Sequence, residues 1–445
     1  MVNILVKLSK YVITLLMAFY TFKCFSVFRH NSDKAKNRIY KEQNTIMYII
    51  HFIAYLIIFI KSENINVILL YGAELAFFIM IIALYQGLYP KCSRLLVNNM
   101  CMLIASGMII ITRISFDKAI KQFIIVAVSS ALTIAIPILM KKVRSLRNIY
   151  WLYGVIGIIL LGVVAAFGAS TYGANLSIDL GFISIQPSEF VKLLFVFFVA
   201  SMFNKSTSFK QIVITTIFAA LHVLILVLST DLGGALIFFV TYLMMLYIAS
   251  GKAYYIFAGF LAGSGAAVVA YNLFSHVKKR VAAFLDPFKL INTSGWQICQ
   301  SLFAIGTGGW FGMGLYNGIP GTIPVGDKDL VFSAISEELG VLFSICIILV
   351  CLSCFIMMMN IATMCNALFY RLIGVGLGTM YIFQVFMTIG GGVKFIPLTG
   401  VTLPLVSYGG SSMLSTLIQF AVVQGLYILR NDEVTYYEQE AEAED

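Results

Sequence analysis

The groups able to do chemistry gather in the second half of the chain. Lys278-Lys279-Arg280 places three cations in a row, and Asp286 follows shortly after. Asp327, Asp329, Glu337 and Glu338 come next. Earlier, Glu189 and Lys192 stand three residues apart, a spacing that puts both on one helix face. Asp231 sits between two apolar runs. Adjacent cations at a membrane surface suit an anionic ligand, and phosphate or pyrophosphate on a lipid fits that position. The competing reading is a long loop whose charge is indifferent to insertion. Lys192 reads equally as an ion pair with Glu189 or Asp231 and as a substrate contact, because an ionisable group within a span faces the bundle interior or a wet cavity. Glu74 reads as a packing or partner-contact residue as readily as a chemical one, whereas His222, on a mostly apolar helix, reads as hydrogen-bonded to a neighbouring helix rather than catalytic.

The same region is rich in glycine: Gly306-Thr-Gly308-Gly309-Trp-Phe-Gly312-Met-Gly314. The spacing loosely matches a dinucleotide fingerprint, but no strand–helix–strand context surrounds it. Glycines at this density are expected to let the backbone fold tightly over a membrane surface. No histidine or cysteine spacing reads as a metal site, and Cys351-Leu-Ser-Cys354 lies inside an apolar run where it reads as packing.

The elements that must position these residues are membrane spans. The chain is 60% hydrophobic and 11% charged, with a mean hydropathy of +0.94. A soluble domain carries about a quarter charged residues. The expected fold class is therefore all-α, a polytopic helical membrane protein. Apolar runs begin near Tyr11, Thr45, Val67, Asn99, Phe123, Trp151, Glu189, Gln211, Leu232, Ala253, Phe332, Ala367 and Tyr408. They are continuous rather than alternating, which excludes a barrel. The first run has no small-residue cleavage site after it, so no cleavable signal peptide is expected.

Lys and Arg in short loops set orientation. The loop 29–41 holds Arg29, Lys34, Lys36, Arg38 and Lys41, and a later loop holds Lys141, Lys142, Arg144 and Arg147. Lys205, Lys210 and Arg371 fall on the same side if the spans alternate from an external N-terminus. The loops 62–66 and 168–188 are nearly free of Lys and Arg. The acidic end, 431–445, then reads as a solvated cytoplasmic tail without a fold of its own. The loop 275–330 falls outside.

From about Asn99 to Arg430 the chain resembles the SEDS family (FtsW, RodA and SpoVE). The resemblance rests on Asp179-Leu-Gly-Phe-Ile-Ser-Ile-Gln186-Pro187-Ser188-Glu189, Asp231-Leu-Gly-Gly-Ala235 and Arg280-Val-Ala-Ala-Phe-Leu-Asp286-Pro287. It rests also on Gln300-Ser-Leu-Phe-Ala-Ile-Gly306, Ser336-Glu337-Glu338-Leu-Gly340 and Pro397-Leu-Thr-Gly400-Val-Thr-Leu-Pro404-Leu-Val-Ser407-Tyr408. It implies a ten-span core over residues 96–430, with residues 1–95 as an added three-span module.

The resemblance implies a glycosyltransferase that polymerises peptidoglycan from lipid II, an undecaprenyl-pyrophosphate-linked precursor, beside a class B penicillin-binding protein in the bacterial plasma membrane. No nucleic acid is implied. Such a transfer needs a carboxylate to take the acceptor hydroxyl's proton and cations to stabilise the leaving pyrophosphate; a divalent cation is the one cofactor this chemistry admits. The candidate catalytic residues are Asp286 and Asp231. The candidate substrate-binding residues are Lys278, Lys279, Arg280, Lys192, Glu189, Ser188, Asp329, Glu337 and Gln300.

The departures from the family pattern fall on the chemical face. Gly173-Ala174-Asn175-Leu176-Ser177 lacks the usual Arg and Trp. Leu290 occupies the place of the acid usually held catalytic, Asp327-Lys328-Asp329-Leu330 keeps only the acid of its motif, and Thr388 stands where Asn is common. The alternative is a non-catalytic paralogue that binds a lipid-linked precursor or scaffolds a penicillin-binding protein. A lipid II flippase is a further reading, but no internal inverted repeat is readable.

Overall fold

The computed structural model describes residues 2–142, 148–167, 169–171, 174–179 and 184–444. Arg144, Arg147 and Gly173 lie outside them, and the side chain of Ser177 is not described. Along the chain run α1 (Val2–Ser26), α2 (Asp33–Ser62), α3 (Asn66–Leu88), α4 (Arg94–Ile114), α5 (Phe116–Thr133), α6 (Ile136–Lys142) and α7 (Tyr150–Phe167). Three short antiparallel strands follow, β1 (Ala169–Thr171), β2 (Ala174–Asp179) and β3 (Ser184–Ile185). Then come α8 (Pro187–Lys205), α9 (Phe209–Leu228), α10 (Leu232–Ser250), α11 (Tyr254–Leu273) and α12 (Ser275–Leu285). The chain ends with α13 (Trp296–Gly308), α14 (Val331–Leu339), α15 (Val341–Thr363), α16 (Leu368–Gly392) and α17 (Gly410–Glu444).

The all-α expectation holds. Twelve helical segments among the described residues are long and apolar enough to cross a membrane, and Tyr150–Ala166 is a shorter apolar helix. Pro137 explains the break between α5 and α6. Its ring clashes with the carbonyl four residues back, at Thr133, where α5 stops.

Two expectations are corrected. The run assigned to a span from Phe332 is two helices, so Glu337 and Glu338 lie on short α14, and the span starts at Val341. Gly340 makes the break at φ +90°, a conformation that favours glycine. The acidic end is helical to Glu444; alternating Glu and Ala are strong helix formers, a preference that outweighs their poverty in apolar groups.

The described chain divides into two compact units. The first comprises 1–130, 280–354 and 385–409. Its axis is α4, buried along its whole length from Leu95 to Thr112, with α2, α3 and α14 packed on it. The second comprises 131–279, 355–384 and 410–445. Its central helix is α8, flanked by α7, α9, α10 and α17. Pro187 in the first turn of α8 lacks the amide that would go unbonded there, and Glu189 complements the positive end of the helix.

Candidate functional site

Within the first unit, α14 and the loop before it collect acids, and most of these have a partner. Asp286 pairs with Lys289 at 2.9 Å and is partly exposed. The Lys289 ammonium and amide hold its carboxyl below the usual range. Asp327 pairs with Lys118 of α5 at 2.7 Å. Glu337 Oε1 accepts from the Ile319 amide at 3.1 Å. Glu338, fully buried, pairs with Arg113 of α4 at 2.8 Å and accepts from the Tyr316 amide. Asp329 differs from them all. Its carboxylate has no hydrogen-bond or ion-pair partner among the described residues. Burial pushes it up to about 6, with Lys328 and Arg280 pulling it back.

The backbone around Asp329 is fixed. Ser407 Oγ donates to Lys328 O at 2.6 Å, and the Tyr408 amide donates to Asp327 O at 2.7 Å. Gln122 of α5 donates to Ser407 O and accepts from the Gly409 amide. Arg280 donates to Thr399 O at 3.3 Å, which ties the middle of α12 to the same loop. A carboxyl poised near neutrality on a braced backbone, with a guanidinium nearby, can exchange a proton and attract an anion. Lys278 and Lys279 precede Arg280 on α12 and are exposed. Gln300 is half-buried on α13. Leu290 O accepts the Thr293 and Gly295 amides, so the position without an acid serves a turn.

The glycine-rich turn folds over the junction of α14 and α15, which leaves helix ends to satisfy. The Met313 and Gly314 amides donate to the Glu337 and Glu338 carbonyls at 2.8 and 2.9 Å. The Gly309 and Trp310 carbonyls accept from Val341 and Leu342 at 3.0 and 3.1 Å, capping the first turn of α15. Gly312, at φ +76°, packs against Glu338 O so closely that a Cβ there would collide. Arg113 secures the turn by donating to Gly318 O at 3.0 Å and stacking on Tyr316. From α1, Lys10 donates to Gly312 O at 2.9 Å and Tyr11 packs on Phe311.

In the second unit Glu189 and Lys192 pair at 2.8 Å, as their spacing implies. Both are nearly buried. Lys192 also donates to Gln384 Oε1 at 2.9 Å, and Ser415 Oγ donates to Glu189 Oε2 at 2.9 Å. Ser188 accepts from the Gln186 side chain at 3.2 Å. Asp231 caps α10, accepting from the Gly234 amide at 2.8 Å. His222 bonds the Phe218 carbonyl of its own helix rather than a neighbouring one. Glu74 is held by His51 and Tyr55 at 2.8 and 2.7 Å, so its carboxylate joins two helices.

Sequence reasoning missed Lys118, Lys289 and Arg113, which decide which acids are neutralised. The only signal for Arg113 was a charge in the last turn of an apolar helix. No group of three or more histidine, cysteine, aspartate or glutamate side chains among the described residues is arranged to hold a metal ion.

Residues 86–431 match the FtsW/RodA/SpoVE family model, described as cell cycle protein. The peptidoglycan glycosyltransferase RodA of Mycobacterium tuberculosis is 32% identical over 363 residues, covering 75% of this chain and 77% of that protein. A probable peptidoglycan glycosyltransferase FtsW of Aliivibrio salmonicida is 33% identical, covering 63% and 72%. Among solved structures, a chain of a peptidoglycan synthase complex, studied for its coordination of polymerization and crosslinking, aligns with a TM-score of 0.65 at 23% identity. That alignment covers 76% of this chain and 98% of the other. Thermus thermophilus RodA aligns with a TM-score of 0.58 at 21% identity, covering 76% and 96%. These structural likenesses carry the fold.

Proposed function

Because the chain belongs to the FtsW/RodA/SpoVE family of multi-pass membrane proteins of peptidoglycan biosynthesis, we propose that it polymerises glycan strands from an undecaprenyl-pyrophosphate-linked disaccharide, with Asp329 as general base. One observation carries this reading: Asp329 alone, among the acids of the loop and α14, is unpartnered and held near neutrality. In the reaction Asp329 takes the proton of the acceptor sugar hydroxyl as the oxygen attacks the anomeric carbon. The carbon–oxygen bond to pyrophosphate breaks, and Arg280 receives the leaving anion. Asp286 is the weaker candidate, since an exposed carboxylate neutralised by Lys289 is a poor base. Asp231 is committed to a helix cap, and Glu189 with Lys192 to a buried tie.

The test is polymerisation of purified lipid II by the isolated protein, with and without a chelator. Asp329→Asn is expected to slow it by about 10²–10⁴-fold, while Asp286→Asn and Asp231→Asn keep most of the rate. A wild-type rate in Asp329→Asn sinks the assignment. Leu290 favours a second reading, a non-catalytic family member that binds the precursor or scaffolds a class B penicillin-binding protein. Absence of any polymer from the wild type, with co-purification of such a partner, would select it. The proposed orientation, N-terminus outside and C-terminus cytoplasmic in the bacterial plasma membrane, is checked by reporter fusions at both ends.

A further inference from the structure

The junction between α1 and α2 carries a cavity that the proposed reaction does not use. It has a volume of about 670 Å³, within the ordinary range for small-molecule sites, about 300–1,000 Å³. Lys34, Arg38 and Lys41 line it at helical spacing, so their charges converge from one face of α2. Lys34 and Lys41 have no ion pair among the described residues. The only acid in the lining, Glu42, is already shared between Lys23 at 2.6 Å and Arg38 at 3.0 Å. Asn37 accepts from Arg94 at 2.9 Å, which leaves its amide hydrogens as donors. The cavity therefore has surplus positive charge and free donors.

Its remaining wall is apolar. Phe19 of α1 lines it and is half exposed. Val12, Leu15 and Leu8 continue that exposed face toward the N-terminal end of α1. A polar, cationic recess thus opens onto an uninterrupted apolar track along a membrane helix. A free anion would use only the recess, and an acyl chain only the track.

We infer that this cavity binds an anionic phospholipid, its phosphate among Lys34, Arg38, Lys41 and the Asn37 amide, one acyl chain along Phe19, Leu15 and Leu8. The site is independent of the glycosyltransferase reading, and failure of polymerisation would leave it standing. Anionic headgroups attract juxtamembrane cations, and a shaped recess converts that attraction into a one-lipid site.

The experiment uses the full chain in detergent, with thermal unfolding and native mass spectrometry as readouts. The probes are phosphatidylglycerol, phosphatidylcholine and inorganic phosphate. Phosphatidylglycerol is expected to raise Tm by a few °C and to remain bound as a single adduct. The triple variant Lys34→Ala, Arg38→Ala, Lys41→Ala is expected to lose both effects. Removing three exposed cations elsewhere (Lys7→Ala, Lys210→Ala, Lys252→Ala) should preserve them. Should the triple variant not express, Lys41→Glu alone carries the same expectation. An equal response to phosphatidylcholine overturns the inference, as does an equal shift with inorganic phosphate. So does a triple variant that binds like the wild type.

Discussion

Replacing Arg113 with Met isolates the cost of one buried charge. Glu338 is fully buried, and burial pushes its carboxyl from the ordinary 4.5 up to about 7, against the pull of Arg113 and the Tyr316 amide. Between those two values the unfolded chain ionises this group while the folded chain keeps its proton. The unfolded state then binds fewer protons, so stability falls as pH rises through the window. A gap of that width is worth about 3 kcal/mol. Arg113→Met removes the strongest influence favouring the ionised form, so the folded value climbs and the window extends above neutrality. The variant should lose a further ~1–3 kcal/mol at pH 8 but much less at pH 5, where the carboxyl is already protonated. The pH-independent part of the loss comes from the Gly318 hydrogen bond and the Tyr316 stack. Glu338→Gln should flatten the dependence in both backgrounds. Thermal unfolding followed by tryptophan fluorescence between pH 5 and 8 measures all four proteins. An Arg113→Met penalty equal at both ends of that range, or a Glu338→Gln slope equal to wild type, would refute the reasoning.

Other consequences are open to measurement. If Asp329 is the base, kcat/KM for lipid II polymerisation should rise with pH and level off above about 6, where the carboxylate is ionised; a flat profile between pH 5 and 8 in the wild type counts against it. Gly312→Ala forces a Cβ against Glu338 O at positive φ and should cost about 1–3 kcal/mol, read as a lower Tm. Glu189→Gln or Lys192→Met alone should each cost about 3–5 kcal/mol by leaving a buried partner charged. The two together should cost less than their sum, and additivity in the double-mutant cycle would show that they do not interact. Lys10→Met should speed hydrogen exchange at the Met313 and Gly314 amides several-fold, because it frees the turn from α1; unchanged protection would place the turn's rigidity elsewhere.

Most of the architecture was legible because a lipid solvent leaves few options: a continuous apolar run of sufficient length has to be a helix. Glu189 and Lys192 were legible for a similar reason, since their spacing alone puts them together. What could not be read was whatever depended on distant partners. Lys289, three residues from Asp286, was a local signal for which acid is neutralised, but Lys118 taking Asp327 from another helix had none. The division at Gly340 was missed because the apolar pattern continues through it. Only the turn from Gly309 to Gly314, by capping both helix ends, makes the break affordable.

Helices α1 and α2 bear on Glu338 through α4. The buried face of α4 carries amide and hydroxyl groups whose partners come from α1 and α2. Asn99 Oδ1 accepts from Tyr20 and Cys24, both at 3.1 Å, and Asn99 Nδ2 donates to Ser353 of α15 at 3.2 Å. Asn98 donates to Tyr40 O and Gln43 Oε1, both at 3.1 Å, and Thr112 meets Tyr55 at 2.9 Å. Without α1 and α2 these groups would face lipid unpaired, a cost no apolar contact repays. The last turn of α4 also carries Arg113, whose ion pair with Glu338 anchors the glycine-rich turn. Helices α1 and α2 are therefore bonded to α4, which reaches Glu338 through Arg113, and Lys10 of α1 reaches the turn itself. In this chain α1 and α2 supply hydrogen-bond partners to the helix whose last turn holds Glu338.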